Sequence, residues 1–195
     1  MSLIDKLEMA DKQATLAINS LHCPFSDAVW QIFSDKEIWY VLYIAVLVFL
    51  FIRLGWKKTL AVLLSCILTV VVCDQGGNVC KDFFMRMRPC WDAYMIQNGL
   101  YMLEGEGNAF GFYSAHAANA MGFAICSLYG FRNDSRCRYR GYAWPIVIWA
   151  VLVGLSRVFV GKHFLGDVIV GLLVGLLAGR LLAAAASFAI RKFRL

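Results

Sequence analysis

Apolar residues fall in five long blocks along the chain, separated by short basic connections and one long mixed segment. A bilayer crossing needs about 20 mainly apolar residues. Blocks from Ile38 to Trp56, Thr59 to Cys73, Ala115 to Phe131, Tyr142 to Val160 and Phe164 to Ile190 meet or approach that length, the second being the shortest. Ahead of them Leu3, Leu7, Ala10, Ala14, Ala17 and Leu21 recur at helical spacing, with Asp5, Glu8 and Lys12 elsewhere on the wheel. That is the pattern of an amphipathic helix lying at an interface or against a bundle. Residues 22–36 are apolar only in patches, too interrupted for a sixth crossing. The pattern therefore predicts an all-α integral membrane bundle of about five spans plus an N-terminal amphipathic helix. It forms a single domain over residues 1–195, in which 1–36 make an interfacial N-terminal segment.

The mixed segment, residues 74–113, carries Gly76, Gly77, Gly99, Gly105, Gly107 and Gly111. Asp74 to Met87 can be helical and should stop at Arg88-Pro89, because a residue preceding proline disfavours the helical region. Trp91 to Phe112 reads as a loop whose Met95, Ile96, Leu100 and Met102 suit either lipid contact or a small satellite core.

Composition agrees with a bilayer as solvent: 61% of the 195 residues are hydrophobic and 16% charged, and the mean hydropathy is +0.64, too apolar for an ordinary soluble domain. The net charge of +6 does not point to nucleic acid, because the basic residues are scattered over the connections. Arg53, Lys57 and Lys58 lie in one, Arg132, Arg136, Arg138 and Arg140 in another, and Arg191, Lys192 and Arg194 in the tail. With five crossings all three clusters share one side, which the positive-inside rule makes cytoplasmic. The segment 74–113 and the turn near Gly161 then face outward from a cytoplasmic (inner) membrane. Asp5, Glu8 and Asp11 stand where a cleavable signal would be basic and then apolar, so none is expected. The seven cysteines show no CxxC pairing; Cys80 and Cys90 flank an outward loop, where a disulfide is conceivable.

Charged residues at the edges of spans need a partner or a task, and three groups stand out. Lys81 and Arg88 are seven residues apart, nearly two helical turns, which on one helix would set both on one face about 10 Å apart along the axis. Two such cations suit a phosphoryl group, Arg as a planar fork and Lys as a point charge. Standing alone, they would more often be solvated loop cations, since surface charge is the default. Ser114 and His116 lie where the outward loop enters the third span. There the free N–H groups of a helix N-terminus attract an anion, and a histidine can protonate a leaving oxygen. A capping serine followed by a structural histidine is the plainer alternative. His163 and Asp167, four residues apart at the start of the fifth span, put a carboxylate beneath an imidazole. That is the orienting arrangement of a nucleophilic dyad. Arg157 reaches the same place from the end of the fourth span.

These residues resemble the type 2 phosphatidic acid phosphatase family, whose signatures are Lys-x6-Arg-Pro, Pro-Ser-Gly-His and Ser-Arg-x5-His-x3-Asp. Lys81 to Pro89 and Ser156 to Asp167 match the first and third completely; Tyr113-Ser114-Ala115-His116 matches the second in part, with Tyr and Ala in place of Pro and Gly. The resemblance covers roughly Asp74 to Gly175. It implies a helical membrane phosphatase without metal or other cofactor, in which His163 attacks phosphorus to form a phosphohistidine and Asp167 orients it. His116 would protonate the leaving oxygen and later serve as base toward water. Lys81, Arg88, Ser114, the Ala115 N–H and Arg157 would hold the phosphate oxygens.

Two other readings use the same residues. His116, His163 and Asp167 would make a two-histidine, one-carboxylate metal set, opposed by three neighbouring cations. An anion channel or transporter would place the charges along a path, yet they cluster at one mouth. Within the phosphatase reading, an outward-facing site suits a membrane lipid such as undecaprenyl pyrophosphate or a phosphate on lipid A; phosphatidate and phosphatidylglycerol phosphate are further options. Glu104 and Glu106 are expected near the entrance, disfavouring highly anionic headgroups. No protein partner is implied.

Overall fold

The computed structural model describes residues 2–195, and among them every regular element is helical. Two short helices precede the bundle, α1 (Leu3–Asn19) and α2 (Pro24–Ser34). The bundle itself is α3 (Tyr40–Leu54), α4 (Trp56–Phe84), α6 (Ala115–Phe131), α7 (Arg140–Phe159) and α8 (Leu165–Lys192). Between α4 and α6 lie a 3₁₀ turn at Pro89–Trp91 and the one-turn α5 (Ala93–Gln97).

Each expected span corresponds to a bundle helix. Three of them, α4, α7 and α8, are long and apolar enough to cross a membrane by themselves; α3 is an apolar helix of 15 residues. The fifth, α6, has 17 residues, the lower end of what a crossing needs. It sits at the centre, against α8, α4 and α7, and 11 of its 17 residues are buried. Its environment is therefore protein rather than lipid, and small residues suit it better than large apolar ones.

The close approach of α6 to α8 rests on Gly171, Gly175 and Gly179, one per turn on α8. A Cβ at Gly171 would come 2.5 Å from the Ser114 carbonyl oxygen and one at Gly179 would come 2.7 Å from that of Gly122; one at Gly175 would strike the Ala118 carbonyl. Small residues at four-residue spacing let membrane helices pack backbone to backbone.

Two expectations are corrected, and a third, the amphipathic N-terminal helix, gains a direction. The second span does not end at Cys73: α4 continues unbroken for 29 residues to Phe84, where Met85 adopts the left-handed conformation with φ 45°. Lys81 is thus on α4 and Arg88 beyond its end, so the shared helical face does not exist. Trp91 to Phe112 is not loop throughout, since α5 interrupts it, its N-terminus capped by Asp92. The amphipathic α1 is turned inside out. Leu3 and Leu7 are exposed while Thr15 and Asn19 are buried, so the polar stripe of α1 faces the protein. Apolar side chains left outward cost nothing when the surroundings are lipid.

Within residues 22–36 lies α2, whose 11 residues span roughly 16 Å, too short to cross. The Trp30 ring stacks on Phe159 at 4.1 Å, fixing α2 against the end of α7. All seven cysteines are free, including Cys80 and Cys90.

The helices alternate in direction, so the basic connections gather at one end of the bundle. There Asp134 ties Arg53 (2.9 Å), Arg136 (2.9 Å) and Tyr139 together. The starts of α6 and α8 and the ends of α4 and α7 gather at the other end, where the candidate site lies.

Candidate active site

The α7–α8 connection builds the centre of the site. Arg157 occupies the last turn of α7, and its carbonyl accepts from the N–H groups of both Lys162 (2.9 Å) and His163 (3.1 Å). The chain reverses at Gly161, φ +78°, where a Cβ would also come 2.9 Å from the Tyr101 carbonyl oxygen. Few residues other than glycine tolerate that conformation. The reversal sets His163 beside Arg157, and the Phe164 N–H donates to Asp167 Oδ2 (3.1 Å), capping α8 with the carboxylate.

His163 Nδ1 stands 3.5 Å from Asp167 Oδ2, a contact longer than a full hydrogen bond, and Nδ1 has no other partner. Such pairs tighten in the reacting complex. Asp167 is completely buried. Burial pushes the His163 imidazole down to about 4, aided by the positive charges of Arg88 and Arg157 and opposed by Asp167. Its ring is therefore neutral at physiological pH, with a lone pair available for attack.

His163 opens onto a cavity of about 670 Å³ that is also lined by Lys81, Arg88, Ala115, His116 and Arg157. The structure thus brings together residues from four separate stretches of chain. Arg88 is steered into place by its backbone: its N–H donates to the Ala109 carbonyl (2.8 Å) and its Nε to that of Phe110 (3.1 Å). Burial lowers the proton affinity of this guanidinium, which still remains charged at any physiological pH. Arg157 is buried; its Nη1 contacts Ser34 and lies 3.4 Å from Glu104 Oε1, and its Nε has no partner. A buried guanidinium with an unpaired donor has the chemistry to bind an anion. The same cavity is also walled by Tyr40 and Tyr43 of α3 and Leu63, Ile67 and Val70 of α4. A second cavity of about 780 Å³ adjoins it, sharing Ser34, Lys36, His116 and Arg157.

Ser114 is set apart from the others. It is fully buried, caps α6 through a long 3.5 Å contact from the Ala117 N–H, and donates its own N–H to the Asp167 carbonyl at 3.0 Å. It ties α6 to α8, while the adjoining Ala115 and His116 face the cavity. The tyrosine that departs from the family's proline has its own place. The Tyr113 hydroxyl donates to the Cys73 carbonyl (2.9 Å), and the hydroxyl and ring lie over Gly76 and Gly77 of α4, 3.0 Å and 3.7 Å respectively from where their Cβ atoms would stand. Among the described residues no three His, Cys, Asp or Glu side chains converge as metal ligands would.

Three participants escaped the sequence reading. Lys36 lines both cavities, hidden at the end of a patchy segment. Gly111 lies against the dyad: a Cβ there would sit 2.8 Å from Arg88 Cγ, 3.4 Å from His163 Nδ1 and 3.5 Å from Asp167 Oδ2. Arg86 binds Asp167 Oδ1 at 2.5 Å. It lies inside the first motif, two residues before Arg88, and an unassigned cation there was the available signal.

A neutral buried histidine, a carboxylate behind it and cations around a cavity at one end of a membrane bundle define a membrane-embedded phosphohydrolase. The family model of the PAP2 superfamily matches residues 58–191, and the chain belongs to that superfamily as a phosphatase of membrane lipids. A lipid A 4'-phosphatase of Bacteroides thetaiotaomicron is 33% identical over 89% of this chain and 75% of its own length. An undecaprenyl-diphosphatase of Bacillus subtilis is 39% identical over a shorter stretch, 35% of this chain and 31% of its own. In fold, the crystal structure of a transmembrane PAP2-type phosphatidylglycerolphosphate phosphatase from Bacillus subtilis is similar with a TM-score of 0.72. It is 22% identical over 96% of this chain and 89% of that one.

Proposed function

We propose that this single domain removes a phosphate monoester from lipid A at the outer face of the cytoplasmic membrane, through a phosphohistidine and without a metal. The observation that carries the reading is the cavity itself. Its lining joins His163, His116 and the cations Lys36, Lys81, Arg88 and Arg157 to apolar and aromatic side chains of α3 and α4. A phosphate on a lipid headgroup needs both.

In this mechanism Lys81, Arg88 and Arg157 neutralise the equatorial phosphate oxygens, with the α6 N-terminus at Ala115 adding backbone donors and Ser114 fixing that helix end. The free ring nitrogen of His163 forms a bond to phosphorus as the bond to the lipid oxygen breaks, and His116 gives that oxygen its proton. Asp167 stabilises the positive ring that results. Water then attacks phosphorus, His116 takes its proton, and the P–N bond breaks to release inorganic phosphate and neutral His163. The three cations meet the charge requirement of the transition state without a divalent ion.

Lipid A is favoured over undecaprenyl pyrophosphate by the extent of similarity to the lipid A 4'-phosphatase, which runs over 89% of the chain. The outward orientation is supported by the basic connections, which all lie at the end of the bundle opposite the site. The test is phosphate release in detergent micelles with chelator present, from lipid A, undecaprenyl pyrophosphate and phosphatidate, comparing wild type with His163→Ala. Chelator-resistant release, fastest from lipid A and lost on substitution, is expected. Faster release from undecaprenyl pyrophosphate would move the substrate to that lipid, and release unaffected by the loss of His163 would overturn the mechanism.

A further inference from the structure

The carboxylate behind His163 is one link in a longer chain of charges. Asp167 Oδ2 is occupied by the Phe164 N–H and faces His163; Oδ1 receives Arg86 Nη1 at 2.5 Å. The other arm of that guanidinium, Nη2, meets Asp11 Oδ2 at 2.6 Å, and Asp11 Oδ1 accepts the Gly166 N–H at 2.8 Å. Asp11 is on α1, more than 150 residues from Asp167 in sequence, and closes the circuit back onto the first turn of α8. The Arg86 guanidinium also lies over the Phe164 ring, 4.3 Å from its centroid, and the Arg86 carbonyl accepts the Gly111 N–H at 2.9 Å. Four residues further along α1, Thr15 accepts the Leu165 N–H at 2.9 Å, and after one more turn the Asn19 side chain donates to the Tyr101 and Phe159 carbonyls. The inward stripe Asp11, Thr15 and Asn19 thus grips the α7–α8 connection that carries His163. At Gly166 a Cβ would sit 2.7 Å from Asp11 Oδ2, so the grip is tight.

We infer that Arg86, held by Asp11, is a positioning residue of the reaction: it fixes the Asp167 carboxylate behind His163 and offsets its charge, making α1 part of the catalytic apparatus.

The inference rests on the His163–Asp167 reading above. A buried carboxylate with one oxygen toward the imidazole would turn or recruit water if its second oxygen had no partner; a guanidinium held at both ends removes that freedom. The charge has a second effect. The groups facing His163 are Asp167 from α8, Arg157 from α7, His116 from α6, Arg88 from the segment after α4, and the adjacent Lys162. Only Asp167 favours protonation of the ring, and Arg86 dilutes its influence. With Arg86 gone the Asp167 charge acts on His163 undiluted, the ring holds a proton to higher pH, and the acid limb of kcat/KM moves upward.

The experiment uses the full chain in detergent micelles with lipid A, and compares wild type, Arg86→Ala, Arg86→Lys, Asp11→Asn and His163→Ala. Arg86→Ala is expected to lower kcat by about 10- to 100-fold, the scale of a misplaced catalytic group, with KM within about 2-fold because Arg86 does not touch substrate. Its acid limb should rise. Arg86→Lys keeps the charge and should recover the limb but only part of kcat. Asp11→Asn loosens the tether and should lower kcat by several-fold. Arg86→Ala and Asp11→Asn with wild-type kcat and an unmoved acid limb, beside an inactive His163→Ala, overturn the inference and leave the dyad standing. So does a loss confined to the yield of folded protein. An active His163→Ala overturns the dyad itself.

Discussion

Gly111→Ala tests whether the segment over the dyad sets its geometry. The new methyl carbon would sit 2.8 Å from Arg88 Cγ, against an ordinary carbon–carbon contact of roughly 3.5–4.0 Å. Either Arg88 or the segment must therefore give by about 1 Å. Arg88 cannot swing aside freely, because its N–H and Nε are bonded to the Ala109 and Phe110 carbonyls. Those carbonyls belong to the same segment as Gly111, so the displacement moves Arg88 and its tether together, away from the phosphate position. The methyl also reaches 3.4 Å from His163 Nδ1 and 3.5 Å from Asp167 Oδ2, an ordinary contact that leaves no room for the segment to move inward instead. A displacement of about 1 Å in a group aligned for transfer lowers the rate by up to about 100-fold. Gly111→Ala should lose on the order of 10- to 100-fold in kcat/KM with lipid A while retaining its thermal midpoint in detergent to within a few degrees. Gly105→Ala is the control, since nothing lies within 4 Å of a Cβ there, and it should behave as wild type. Wild-type kcat/KM in Gly111→Ala would refute the claim that Arg88 is held where phosphate binds.

Three further outcomes follow from the same geometry. The depressed proton affinity of His163, about 4 when folded against 6.5 unfolded, means that folding excludes a proton the unfolded chain would bind. Stability therefore falls as pH drops from 6.5 toward 4. His163→Gln should escape that part of the loss by up to about 3 kcal/mol, read from unfolding in mixed micelles; parallel pH curves would contradict it. Glu104 occupies Arg157 at 3.4 Å while itself partly exposed, a contact an incoming phosphate must displace. Glu104→Gln should lower KM for lipid A about 2- to 5-fold with little change in kcat, and a raised KM would show that the carboxylate assists binding. Gly175→Val would drive a side chain into the Ala118 carbonyl on α6. It should destabilise the bundle by about 1–3 kcal/mol, and an unaltered thermal midpoint would mean that α6 and α8 are farther apart than described.

Much of this architecture is legible in the sequence because lipid and catalysis each leave a plain pattern. The five apolar blocks all became helices, and the three motifs converge on one end of the bundle. What escaped did so for particular reasons. The hydropathy of α4 falls after Cys73 because Asp74 and Lys81 line the cavity and Gly76 and Gly77 make room for Tyr113. A change in polarity there marks the arrival of the site, not the end of the helix. In α1 the period was readable but not the direction, since in a bilayer the apolar stripe can point outward and the polar stripe toward the protein. That inversion concealed Asp11, and with it the second partner of Arg86. Arg86 itself was obscured by treating Lys81 to Arg88 as one helix. Met85 ends α4 in the left-handed conformation, and the chain then runs beside Ala109 to Gly111, where backbone pairing rather than helical spacing decides which cation lines the cavity and which meets Asp167. Motif spacing names the residues of this site. Their division into those that line the cavity and those that hold the lining groups in place depends on contacts spread from Asp11 to Asp167.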